Sequence, residues 1–266
     1  MASVIHPTAV IAEGAQLGSD VQIGPYCVIG PRVTIGSRCI LHSHVVIDGN
    51  TTIGEECEIF PFACLGQKPQ DLKFKGEDSS LVIGARNKIR EYCTMHPGTS
   101  GDRMETIVGN DCLFMASTHV AHDCVVGNNV ILANCATLAG HVHVGDHAIL
   151  GGLSAVRQWI RVGHNAIIGG MSGVENDVIP YGMVMGERAN LAGLNLVGLE
   201  RSGVEKAEMQ KLRKAFKELF ESSEGTFAQR FEQLANASDN NDLVTNVVKF
   251  IQAKEGAALC QPKRHG

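Results

Sequence analysis

The sequence contains no CxxC pair, which removes zinc ribbons and thioredoxin-like redox motifs. No apolar run approaches the ~18 residues that a membrane-spanning helix needs. The opening Met1-Ala2-Ser3-Val4-Ile5-His6-Pro7 lacks the charged start and apolar stretch of a secretory signal. With nine cysteines, an odd number, these absences predict a cytoplasmic protein in a reducing compartment, without membrane insertion. Positive charge is not in excess: 23 Lys and Arg against 28 Asp and Glu leave a net charge of −5, which argues against nucleic-acid binding. Aromatics are only 5% of the chain, with one tryptophan, Trp159. Glycine is plentiful instead, 30 of 266 residues, so tight turns outnumber bulky core positions.

What is present is a repeat. An aliphatic residue recurs every six positions from Ile5 through Ile11, Leu17, Ile23 and onward to Leu65. The phase returns at Ile83, Ile89 and Met95, and again from Val108 to Val174. Four residues after each aliphatic sits a small one, such as Ala9, Val21, Cys27 or Cys39. Period six fits neither a helix of 3.6 residues per turn nor an alternating strand. It fits a short strand, a corner and another short strand. Three such hexads close an 18-residue coil with the aliphatics inward, and stacked coils pair their backbones like any solenoid. Cys27, Cys39, Cys57, Cys93, Cys112 and Cys124 fall in the small slot and are expected to be buried thiols.

The phase breaks twice, predicting loops at 66–82 and 100–107, and insertions on a solenoid usually decorate a binding face. After about residue 186 the hexads give way to helical patterns. Glu205–Glu221 carries an apolar face of Met209, Leu212, Phe216, Leu219 and Phe220. Thr226 and Gln229 form a capping-box pattern opening the next helix, and a last helix carries Leu243, Val247, Val248 and Ile251. The expected organisation is therefore a hexapeptide-repeat region, 1–186, and a C-terminal helical domain, 187–266.

Stacking by 18 residues places His122, Gly140 and Gln158 in one corner column and Asp123, His141 and Trp159 in the next, about 4.8 Å apart per coil. At a corner these side chains are expected to face outward, with His119 on the approach. Histidine is the side chain best placed to accept a proton near neutral pH, and an adjacent Asp can orient it. Glycine at 140 leaves a backbone N–H open, as an oxyanion donor requires. No Ser or Cys nucleophile with its own base stands out, which favours direct transfer to an acceptor hydroxyl. The remaining histidines His42, His44, His143, His147 and His164 read as solvated corner residues. A zinc site of three histidines is disfavoured, because Ser117 stands five residues before His122.

His119-Val120-Ala121-His122-Asp123-Cys124 resembles the catalytic hexad of the UDP-N-acetylglucosamine O-acyltransferases of lipid A biosynthesis. So do Gln70-Asp71-Leu72-Lys73, Ile89-Arg90-Glu91 with His96 and Gly98-Thr99, Leu138-Ala139-Gly140-His141, Ser172-Gly173-Val174, and Asn195 with Gly198-Leu199 and Arg201. The resemblance runs over essentially the whole chain. It implies a mainly β protein, a left-handed parallel β-helix with a C-terminal α-helical domain. It further implies a cytoplasmic homotrimer with sites between subunits, and no metal or cofactor. The donor would be an (R)-3-hydroxyacyl group on acyl carrier protein, and the acceptor the 3-hydroxyl of UDP-N-acetylglucosamine. His122 would be the general base, Asp123 its support and Gly140 the oxyanion donor. Gln70, Asp71, Lys73, His96, His119, His141, Gln158, Asn195 and Arg201 would contact substrate, Arg201 at the phosphates. Gly170, with Met171 and Arg188, would set acyl-chain length. Arg157, Pro97 and Val197 depart from the residues usual in the family, and a 3-amino sugar acceptor stays open. The N-acyltransferase of the same pathway carries an extra N-terminal uridine-binding domain, whereas here the hexads begin at Ile5. Lys206, Arg213, Lys214 and Lys217 share one helix face that suits an acidic carrier protein.

Overall fold

A computed structural model describes residues 3–237, 241–254 and 258–263. Two-residue strands separated by corners wind into a coil whose three sides are parallel sheets of eleven, nine and eight strands. The eleven-stranded sheet ends in one antiparallel pair. The register is the 18-residue repeat itself: Ile5 faces Ile23, and His119 faces Thr137. Ile23, Ile29, Ile35, Leu41 and their successors fill the interior, each at most 3% exposed.

The two insertions leave the coil and rejoin it in register. Across the first, Ile59 pairs with Ile89, and across the second, Met95 pairs with Val120. Both loops end earlier than expected. Ser80–Ile83 and Glu105–Val108 are four-residue strands paired to each other, so the loops occupy 66–79 and 96–104 rather than 66–82 and 100–107. Six-fold aliphatic periodicity misses these strands because their first inward residues, Leu81 and Thr106, stand outside the six-residue phase, and Thr106 is polar.

The six cysteines of the small slot are all buried, and they do more than fill space. Each thiol donates to a carbonyl of the adjacent coil: Cys27 to His42, Cys39 to Gly54, Cys57 to Gly84, Cys93 to Met115, Cys112 to Gly127 and Cys124 to Ala139. A thiol is small and apolar enough for the core, yet it satisfies a corner carbonyl that an alanine would leave without this partner. Asn87, in the same slot, does this with its amide, donating to the Gly84 and Gly109 carbonyls.

The expected boundary at 186/187 falls inside a hairpin. Gly182–Met185 extends a sheet of the coil and pairs antiparallel with Asn190–Leu194. Among the described residues four α-helices follow: α1 (Leu196–Arg201), α2 (Lys206–Phe216), α3 (Phe227–Asn236) and α4 (Asp242–Gln252). The predicted helix 205–221 is α2 continued by a π turn over Lys217–Glu221, and α1 was not anticipated by the apolar pattern. Thr226 and Gln229 form the expected capping box. Arg161 ties the two regions together by bonding Asp177 and the Phe250 carbonyl of α4. Residues 238–240, 255–257 and 264–266 of the expected helical region lie outside the described residues.

The thiol bonds predict that Cys39→Ala lowers unfolding stability by about 1–2 kcal/mol, while Cys39→Ser, which keeps a donor, loses less. Urea denaturation of the two variants side by side checks this.

Candidate active site

The strand His119–Val120 runs into a corner at His122 and Asp123. The second residue of this corner is left-handed in every coil of the column, with φ of 59° at Asp123, 64° at His141 and 67° at Trp159. The amide of each later member compensates by donating to the coil below, His141 to the His122 carbonyl and Trp159 to that of Gly140. The columns inferred from the repeat are therefore real. These corner side chains are not all open to solvent, however: the 96–104 loop covers the first two coils, leaving His122 6% and His141 8% exposed, while Gln158 and Trp159 remain at the surface.

His122 lies back across Gly140. A Cβ at position 140 would fall 2.4 Å from His122 Cε1 and 2.6 Å from its Nε2, so only glycine lets the ring adopt this pose. The Gly140 N–H donates to no described group. His122 Nδ1 meets Asp123 Oδ2 at 2.9 Å. An ionised carboxylate only accepts, so Nδ1 carries a proton, and in the neutral ring Nε2 is the nitrogen with the free lone pair.

Asp123 is fully buried and tightly held. Thr99 gives it a backbone N–H at 3.0 Å and a hydroxyl at 2.6 Å, and the Asp123 amide donates to the Thr106 hydroxyl. Burial alone would raise its pKa, but the bonds from His122 and Thr99 outweigh that and hold the carboxyl below its ordinary value. His141 stacks on Trp159, with centroids 3.8 Å apart and planes at 4°, and meets His122 edge-on at 4.9 Å. Its Nδ1 lies 3.1 Å from Asp102 Oδ2.

On the other side, His119 Nδ1 bonds Thr94 Oγ1, and the ring meets His96 edge-on at 5.0 Å. His96 is buried with no partner for Nδ1 among the described residues. Burial, then the nearby His119 and His122, push its pKa down to about 4, and burial likewise depresses His119. Donor atoms of His122, Asp123 and His141 lie within 4.8 Å of one another, a set able to hold a metal ion. Hydrogen bonds already engage them: His122 with Asp123, His141 with Asp102, and Asp123 with Thr99.

The structure thus gathers His96, His119, His122, Asp123, Gly140 and His141, with Gln158 next in the column. The other predicted residues lie elsewhere on the chain. Gln70 and Lys73 are exposed on the first loop, where Asp71 Oδ1 accepts the Lys73 amide. Asn195 caps α1, accepting from Gly198 N and donating to the Asn165 carbonyl, and Arg201 is exposed at its end. Gly170 and Met171 occupy a different corner, Met171 74% exposed, and Arg188 is exposed in the 182–194 hairpin. Among the described residues no hydrogen bond or ion pair joins any of these to His122. Of the histidines expected to be solvated, His42, His143 and His164 are half-buried, bonded to Glu58, to Arg103 and to the Tyr181 hydroxyl.

The description "Udp N-acetylglucosamine O-acyltransferase; Domain 2" matches residues 177–259, and "Bacterial transferase hexapeptide (six repeats)" matches 14–49 and 105–140. The acyl-[acyl-carrier-protein]--UDP-N-acetylglucosamine O-acyltransferase of Rickettsia rickettsii (strain Sheila Smith) is 60% identical over 259 residues, 97% of this chain and 98% of that protein. The enzyme of the same name from Azorhizobium caulinodans is 49% identical, covering 98% and 96%. Among solved structures, the Francisella novicida UDP-N-acetylglucosamine acyltransferase superposes with a TM-score of 0.94 at 36% identity, covering 98% of this chain and 95% of that one. The chain belongs to the UDP-N-acetylglucosamine O-acyltransferase family.

Membership in this acyltransferase family fits the coil, the hairpin and the helical region together. Thr94, Thr99, Asp102, Thr106 and Trp159, each bonded to or stacked on a residue of the site, carry no role in the sequence reading. Trp159 was visible as the column neighbour of His141. Thr99 and Asp102 sit on an aperiodic loop whose landing place no repeat encodes. Thr106 was hidden inside a strand taken for a loop.

The depressed His96 sets a pH dependence. The unfolded ring protonates near 6.5 but the folded one only near 4. Stability is therefore complete above about 6.5 and declines as pH falls toward 4. His96→Asn should flatten that decline, which denaturant midpoints between the two pH values will show.

Proposed function

We propose that this chain transfers an (R)-3-hydroxyacyl group from acyl carrier protein to the 3-hydroxyl of UDP-N-acetylglucosamine, the first step of lipid A biosynthesis. The observation that carries the reading is the His122–Asp123 pair laid across Gly140, in a chain 60% identical to an enzyme of that name.

In this reading His122 Nε2 is the general base. It takes the proton of the sugar hydroxyl as the oxygen attacks the thioester carbonyl. The new oxyanion is met by the Gly140 N–H. Collapse breaks the C–S bond, and the departing thiolate recovers the proton from His122. Asp123 stays ionised and stabilises the imidazolium. A positioned base is typically worth ~10²–10⁴-fold and an oxyanion donor ~10²–10³-fold. The thioester supplies the leaving group, so the atoms balance without a metal or cofactor.

His96, His119, His141 and Gln158 line the approach to His122 and would contact substrate. Gln70, Asp71, Lys73, Asn195, Arg201 and the chain-length residues Gly170, Met171 and Arg188 would contribute through a homotrimer, in which a neighbour's surface completes each site. Among the described residues none of these is hydrogen-bonded or ion-paired to His122 within one chain, which supports that assembly. Lys206, Arg213, Lys214 and Lys217 are all exposed on α2 and the π turn, a basic face suited to an acidic carrier protein. No helix among the described residues is long and apolar enough to cross a membrane.

A panel of 3-hydroxyacyl carrier proteins with UDP-N-acetylglucosamine tests the reading. Wild type should transfer, and His122→Ala should lose ~100-fold or more while staying folded. Gly140→Ala, which drives a methyl into the His122 ring, should lose activity to a similar degree. No transfer by wild type to this sugar, or an active His122→Ala, would overturn it.

A further inference from the structure

His141 is held from three sides, and one of the three contacts comes from an aperiodic loop. Trp159 lies flat beneath it and His122 meets its edge. The third contact is Asp102, on the 96–104 insertion, at 3.1 Å from Nδ1. The neighbouring Arg103 reaches the same coil, donating to His143 Nε2 at 3.1 Å and lying 3.9 Å from Asp102. Two consecutive loop residues thus grip the two histidines that flank Val142.

We propose that Asp102 is a positioning residue: it clamps His141 against Trp159 and dictates which ring nitrogen is offered to substrate. The carboxylate can only accept, so His141 Nδ1 must carry a proton. Nε2, across the ring, makes no hydrogen bond to any described residue and is the nitrogen left for a ligand. Asp123 cannot substitute for Asp102, because it stands 3.9 Å from the same Nδ1 and is already bonded to His122 and Thr99. In the neutral ring Nε2 is an acceptor, matched to a hydroxyl or amide N–H, both of which an N-acetyl amino sugar carries. The kinetic part of this inference rests on the acyl-transfer reading; the clamp itself does not. Anchoring a recognition side chain from a loop is the kind of support whose loss misplaces it, and an error near 1 Å can cost ~10²-fold.

Trp159 is the only tryptophan in the chain, so its emission reports the stack without ambiguity. Asp102→Leu should change the Trp159 emission intensity, as the released ring leaves the indole, and lower kcat/KM by ~10-fold or more. Asp102→Glu should restore part of both. Asp102→Asn, similar in shape and still an acceptor, should fall between. Unchanged emission in Asp102→Leu would overturn the clamp. Changed emission with unchanged kcat/KM would overturn the role in substrate positioning. A lowered melting temperature with no rescue by Asp102→Glu would make Asp102 a structural loop residue and also overturn it. If wild type transfers no acyl group, the functional reading fails, while the emission arm still decides the clamp.

Discussion

Each coil of this protein must pair its backbone with the coil above and the coil below, and nearly every other feature follows from that pairing. The pitch of 18 residues makes side chains 18 apart close neighbours, so composition is organised in columns rather than along the chain. Insertions are tolerated only at corners and only when the chain returns in register, as it does at Ile89 and at Val120. Corner carbonyls and amides are the points the ladder does not serve. Thiols reaching one coil over satisfy the carbonyls, and left-handed corner residues bring their amides onto the preceding coil. Here cysteine is a small core residue with one polar duty.

The candidate active site is an exception built on the same rule. One column places His122, Gly140 and Gln158 in sequence, and glycine in the middle lets the histidine lie down across its neighbour. That pose removes the ring from bulk water and sets it against a backbone N–H. A rigid scaffold of short paired strands is well suited to holding such a contact, because no single corner can relax without disturbing two coils.

The electrostatics come from the second insertion. Burial alone would raise the proton affinity of Asp123, and the bonds from His122 and then from Thr99 of this loop bring it below its ordinary value. A persistent carboxylate beside Nδ1 keeps His122 in the tautomer whose Nε2 can accept. His96 and His119, pushed toward the neutral form by burial, add no positive charge against the imidazolium that forms on His122 during transfer.

The repeat, read as a sequence, determined the coil, its three sides, the inward aliphatics, the cysteine slot and the His122–Gly140–Gln158 and Asp123–His141–Trp159 columns. All of these depend on neighbours 6 or 18 residues apart, distances that a periodic pattern records. The Thr226–Gln229 cap was legible for the same reason, being local. Only the tertiary structure decided that His122 lies across Gly140, that Asn195 is a helix cap, and that Thr99 and Asp102 reach Asp123 and His141. Loop ends at 79 and 104 escaped because Leu81 and Thr106 stand off the hexad phase, and Thr106 is polar as well. An insertion has no period, so where it lands is set by long-range contacts that exist only once the coils have stacked.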